Sequence, residues 1–118
     1  AVVCQVPLLD MKRFNQLLAG ASWMGEYGNP DNEDEWNYIK SYSPYHNVHA
    51  DVDYPKIFFT TSTRDDRVHP AHARKMVAKM KAQGHDVLYY ENTEGGHGGA
   101  SNNKQGASLN ALIYTSGT

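Results

Sequence analysis

The chain predicts an α/β fold, a parallel sheet flanked by helices, and three observations carry that expectation. Two short runs, Ile57-Phe58-Phe59 and Val87-Leu88-Tyr89-Tyr90, are near-continuously apolar, β-branched and aromatic, the character of strands buried on both faces. Between them, Ala71 to Gln83 carries Met76, Val77 and Met80 at i, i+1 and i+4, an apolar stripe at helical spacing. Strand, loop, helix and strand within about thirty residues is the length of a βαβ unit, whose crossover is right-handed and whose strands are parallel neighbours.

The remaining elements follow in order. Ala1-Val2-Val3-Cys4-Gln5-Val6 reads as a buried strand already in progress, with no charged leader or signal-peptide pattern, so we expect a segment to precede it and this piece to be the C-terminal portion of something larger. Trp23 and Tyr27 stand at i, i+4, where a helix packs its aromatics together. The acidic run Asp31 to Glu35 suits a helix N-terminus through its dipole, and Trp36, Tyr38 and Ile39 follow it in a structural helix. Ser43-Pro44 opens a loop through His46-Asn47-Val48-His49. Tyr54-Pro55 sets an extended entry to the central strand, because a residue before proline is pushed out of the helical region. Pro70 suits the first position of the following helix, and Gly84 its left-handed cap. After the second strand, Ser101 to Ser108 is a polar connection into a final helix around Leu109 to Tyr114, with a frayed tail behind it.

At 118 residues the chain is one domain or part of one, long enough for a modest core. A formal charge of −2, with no basic patch and no apolar run long enough to span a bilayer, excludes nucleic acid and membrane as expected partners. The composition is that of a soluble cytoplasmic or periplasmic protein. Cys4 is the only cysteine, so neither an internal disulfide nor a thiolate zinc site is available, and it reads as a small buried hydrophobe. His46 with His49, and His69 with His72, are i, i+3 pairs, but the first lies in a loop and no carboxylate is shared. No metal and no cofactor is expected.

The chemistry lies just past the ends of the two strands. Thr60-Thr61-Ser62-Thr63-Arg64-Asp65-Asp66-Arg67-Val68-His69-Pro70 presents a carboxylate there, and Gly95-Gly96-His97-Gly98-Gly99 a histidine. An open α/β sheet binds and reacts at that rim, and the βαβ connection brings Asp65 and His97 to it together. A carboxylate bonded to one imidazole nitrogen fixes the tautomer and leaves the other nitrogen to take a proton from a nucleophile. Asp66, close to the next helix, reads as a turn or capping residue. Acid before histidine is the second half of the α/β-hydrolase order of nucleophile, acid, histidine. The first half is missing: no serine of this chain lies in a Gly-x-Ser-x-Gly elbow. The fold expected is therefore a partial α/β-hydrolase fold.

Longer runs carry a resemblance to a family. Val6-Pro7-Leu8-Leu9-Asp10-Met11, Ala21-Ser22-Trp23-Met24-Gly25-Glu26-Tyr27-Gly28, Tyr42-Ser43-Pro44-Tyr45-His46-Asn47-Val48, Tyr54-Pro55, Thr63 to Pro70 and Gly96-His97-Gly98, in that order, resemble the C-terminal part of the prolyl oligopeptidase family of serine peptidases. The resemblance implies an α/β-hydrolase catalytic domain, usually joined to a β-propeller, of which residues 1–118 would be the C-terminal portion. It implies Asp65 as triad acid, His97 as triad base, Arg67 as the holder of a substrate backbone carbonyl, and Trp23 and Tyr27 as walls of a pocket for proline. An indole face suits a pyrrolidine ring, and a guanidinium offers fixed donors to a carbonyl. The expected substrate is a proline-containing peptide, the expected partner the missing N-terminal part of the same protein, which carries the serine. Two alternatives stand beside this reading. One is an esterase or acyl-aminoacyl peptidase of the same fold; the other is a non-catalytic fragment whose unpaired strand edges favour self-association.

Overall fold

The computed structural model describes residues 1–98, so the expected final helix around Leu109 to Tyr114 lies outside the described residues. Three strands, β1 (Val2–Gln5), β2 (Ile57–Ser62) and β3 (Val87–Asn92), form a parallel sheet in the order β1-β2-β3. Register aligns Val2 with Ile57 and Ile57 with Val87, so Cys4, Phe59 and Tyr89 share one face. The central strand runs three residues further than its apolar run, because the β-branched Thr60 and Thr61 and then Ser62 continue the ladder opposite Tyr90, Glu91 and Asn92. All three are buried. The two strands therefore end level, Ser62 opposite Asn92, and their loops leave from one rim.

Four short helices and two 3-10 turns complete the described residues. Ala71–Ala82 (α4, numbered in chain order after the three helices given below) packs on β2 and β3 through Ala73, Met76, Val77 and Met80. It begins at Ala71, as expected, with Pro70 as the capping residue and not the first helical position, and the ring nitrogen Nδ1 of His69 accepts the Ala71 N–H at 2.9 Å. Its end is a full Schellman motif, with His85 N–H on the Met80 carbonyl and Gly84 N–H on that of Lys81, both at 3.0 Å. Gly84 takes φ +87°, the left-handed conformation expected of it.

The long excursion between β1 and β2 holds 3-10 turns at Phe14–Gln16 and Leu18–Trp23, then α1 (Met24–Tyr27), α2 (Glu33–Ile39) and α3 (Pro44–Asn47). The acidic run does start a helix: Asn32 caps α2 by accepting the Glu35 N–H at 3.2 Å, and Glu33, Asp34 and Glu35 fill its first turn. Where a loop was expected after Ser43, a single helical turn forms, with Pro44 in its first turn and Ser43 buried at its start. Ser43 ties the turn both to a distant segment and to itself: its Oγ accepts the Met11 N–H at 3.1 Å and shares a 2.7 Å hydrogen bond with His46 Nδ1.

Two apolar clusters result. One joins Leu9, Val48, Phe59, Met76, Val77, Met80 and Val87 between the sheet and α4, with half-buried Cys4 against it; burial pushes that thiol above its ordinary pKa. The other gathers Met11, Phe14 and Ile39, with Trp23, Tyr27 and Trp36 at its margin. Among the described residues no helix is long and apolar enough to cross a membrane.

Candidate active site

Asp65 lies three residues beyond β2, its backbone N–H on the Ser62 carbonyl at 3.2 Å. Its side chain is wholly buried. Burial of a carboxylate is costly unless donors meet it, and here Oδ1 accepts the N–H groups of Arg67 at 2.9 Å and Val68 at 3.0 Å. Asp65, not Asp66, is thus the residue that builds the turn, and Asp66 stays exposed. The turn leaves the carboxylate facing the next loop. There His97 Nδ1 sits 3.1 Å from Oδ1 and 3.0 Å from Oδ2. The imidazole is 39% exposed, so one edge meets the buried acid while the ring reaches solvent. A carboxylate partner requires the proton on Nδ1, which leaves the Nε2 lone pair for a base's work.

Trp23 and Tyr27 sit beside this pair. With Leu8, Glu26 and Val68 they line a cleft of about 220 Å³. Val68 belongs to both features, since its N–H holds the Asp65 carboxylate while its side chain walls the cleft. A second tie joins them: Ala19 N–H donates to the Arg67 carbonyl at 3.3 Å, fixing the Leu18–Trp23 turn to the acid's loop. Tyr27 is braced from behind by an edge-to-face contact with Phe14, centroids 5.8 Å apart. The Arg67 side chain is exposed and, among the described residues, forms no ion pair with Asp66. Of the five residues singled out in the sequence, Asp65 and His97 meet in a hydrogen bond, Trp23 and Tyr27 line one cleft, and Arg67 lies in the Asp65 loop with its backbone N–H on the acid.

Two features escaped the sequence. One is Asn92 at the end of β3, whose side-chain oxygen organises the loop leading to His97. An Asn two and three residues ahead of a Glu-Gly step is an available turn signal. The other is a buried polar cluster around Asp10, a carboxylate with no exposure that pairs with Lys75 and lies near Arg13 and His46. Burial raises the Asp10 pKa, but the Lys75 ammonium with the Arg13 N–H and His46 outweighs it and holds the group below its ordinary value. Behind it, His72 is 1% exposed, and its Nδ1 accepts the N–H groups of Leu9 at 3.3 Å and Asp10 at 3.0 Å. Burial above all holds its pKa down to about 4, against the pull of Asp10 and with help from Lys75 and His69. The only hint in the sequence was a carboxylate inside an apolar run, Leu8-Leu9-Asp10-Met11. Among the described residues no group of three His, Cys, Asp or Glu side chains is placed to hold a metal ion.

A parallel sheet with an acid and a histidine on successive loops of one rim is part of an α/β-hydrolase domain. Residues 1–114 match the prolyl oligopeptidase family, and the chain belongs to it. It is similar to an uncharacterized peptidase of Sinorhizobium fredii, 56% identical across 97% of this chain and 16% of that protein. A prolyl endopeptidase of Elizabethkingia miricola is 42% identical over 93% of this chain and 16% of its own length. Among solved structures, a post-proline cleaving enzyme from Rickettsia typhi superposes with a TM-score of 0.89 at 36% identity, covering 96% of this chain and 16% of that one. A solved prolyl endopeptidase superposes at a TM-score of 0.90 and 36% identity, over 95% and 17% of the two chains. The chain spans about a sixth of the length of these relatives.

Proposed function

We propose that this segment is the C-terminal portion of the catalytic domain of a serine peptidase cleaving after proline, to which it contributes the acid and the base. The observation that carries the reading is the Asp65–His97 pair, at 3.0 Å, beside a cleft walled by Trp23 and Tyr27. The relatives named prolyl endopeptidase support the substrate class. In the whole enzyme a serine outside this segment attacks the proline carbonyl, that of the peptide bond after proline. His97 Nε2 takes the hydroxyl proton, and Asp65 holds the ring and steadies the imidazolium. The proton then passes to the leaving amine, an acyl-enzyme remains, and water activated by the same imidazole releases the product. Trp23 and Tyr27 clasp the proline ring, and the exposed Arg67 donates to a substrate carbonyl. The segment alone, holding no nucleophile in an elbow, is inactive.

The test uses the full-length protein. His97→Ala is expected to abolish the burst of product that marks acyl-enzyme formation on a proline-linked chromogenic ester, with turnover down by on the order of 10⁴ or more. A His97→Ala enzyme that turns over normally ends the assignment.

A further inference from the structure

We propose that Asn92 is a positioning residue for His97, its side-chain oxygen setting the turn that aims the imidazole at Asp65. The inference rests on the function proposed above and names a residue that reading does not require. After β3 the chain must swing His97 onto a carboxylate that belongs to the loop after β2. It does so through Thr93-Glu94-Gly95-Gly96, a stretch to which two glycines bring wide backbone freedom. The anchor is Asn92. Its Oδ1 accepts the N–H of Glu94 at 2.9 Å and of Gly95 at 3.0 Å, and its backbone carbonyl accepts the N–H of Thr63 at 2.9 Å. Thr63 lies between Ser62, whose carbonyl holds the Asp65 N–H, and Asp65 itself. One residue thus fastens the base's loop to the acid's loop at their roots.

Asn92 is 5% exposed, where hydrogen bonds face little competition from water and an unmet donor is costly. Without its oxygen, the Glu94 and Gly95 N–H groups lose their acceptor. The loop then has no fixed turn, and His97 samples positions away from Asp65. A misplacement of about 1 Å in a catalytic group costs on the order of 10² in rate. Binding of a peptide in the cleft of Trp23 and Tyr27 does not involve this loop, so the loss falls on kcat and not on KM.

The experiment compares Asn92→Asp, Asn92→Ser and Asn92→Leu in the full-length protein, on a proline-linked chromogenic substrate, with thermal melts. Asp keeps an acceptor at the same place, Ser offers a shorter and weaker one, and Leu keeps the shape with none. Expected is a graded loss in kcat, within about 5-fold for Asp, intermediate for Ser and on the order of 10² for Leu, with KM little changed. Should Asn92→Leu not fold, Asn92→Ser against Asn92→Asp carries the same comparison. Equal losses in Asp and Leu, or a loss that appears in KM, overturns the proposal. Normal turnover in Asn92→Leu beside a dead His97→Ala removes this inference alone, whereas normal turnover in His97→Ala removes the function beneath it.

Discussion

Protonating His72 is expected to release the segment that carries Leu8 and Leu9, one wall of the aromatic cleft. The Leu9 and Asp10 N–H groups both donate to Nδ1. An imidazolium has no lone pair there, so a proton on this nitrogen faces two donors and breaks both bonds. The ring is 1% exposed, and among the described residues its Nε2 has no hydrogen-bond partner, so water offers no relief. Asp10 from the released segment, and Lys75 and His69 from the helix and its lead-in, are the charged or titratable neighbours. Their net effect does not overcome burial, and the closed form holds the pKa near 4 against 6.5 for an open one.

The sign follows from that depression. Between these two values the open form binds a proton that the closed form refuses, so closure weakens as pH falls below 6.5 and the loss is complete below about 4. Linkage between pH 7 and pH 5 then gives about 2 kcal/mol, or roughly 20-fold in the population of open segment. Asp10 does not blur this window, because a carboxylate held below its ordinary 3.8 contributes its change at lower pH. His46 does titrate in the same direction, lowered first by burial, and a His72→Asn variant subtracts it. Asn places an oxygen near the position of Nδ1 and carries no titration. Hydrogen exchange at the Leu9 and Asp10 amides of the full-length protein, corrected for intrinsic rates, is the assay. Protection should fall roughly 20-fold from pH 7 to pH 5 in the wild type and much less in His72→Asn. Equal protection at both pH values, or the same fall in both proteins, would refute the reasoning.

Trp23→Ala should reduce cleavage after proline by roughly 10- to 100-fold while leaving a generic ester less affected, as expected for loss of one pocket wall; equal losses on a panel of esters and blocked peptides would favour an esterase or acyl-aminoacyl peptidase instead. Gly20→Ala should lower the melting temperature and weaken proline cleavage together. A Cβ there would lie 1.7 Å from the Phe14 carbonyl oxygen and 2.6 Å from its carbon, both backbone atoms, so the two 3-10 turns must part at a cost of about 1–3 kcal/mol or more. An unchanged melt would show that the turns pack less closely than described.

The βαβ unit was legible because each of its parts carries its own local signal. Ile57–Phe59 and Val87–Tyr90 are apolar enough to announce strands, Met76, Val77 and Met80 announce a helical face, and Gly84 its end. The site followed from topology, since parallel neighbours put Asp65 and His97 at one rim whatever the detail of their loops. What stayed hidden depends on partners distant in sequence. Thr60, Thr61 and Ser62 look like loop until β3, joined at Thr60 by β1, satisfies their backbone. The turn at Pro44–Asn47 forms because Ser43 meets Met11, thirty-two residues away. His72 had no readable role, because its two bonds are to N–H groups 62 and 63 residues earlier.

His72 and His97 show how little of a histidine's chemistry resides in the histidine. Both use Nδ1 for their anchoring contact. For His97 the contact is a carboxylate, which demands N–H at Nδ1 and so places a lone pair on Nε2, at the edge of a ring 39% exposed. For His72 the contact is a pair of backbone N–H groups, which demands a lone pair at Nδ1 and forces the proton onto a buried Nε2. The first arrangement leaves Nε2 open to take a proton from a nucleophile. The second resists one, because the imidazolium would face two donors in a site closed to water. Exchanging the partners and leaving both imidazoles in place would exchange the roles: the base of this site is made by Asp65, and the latch beneath the cleft by the backbone of Leu9 and Asp10.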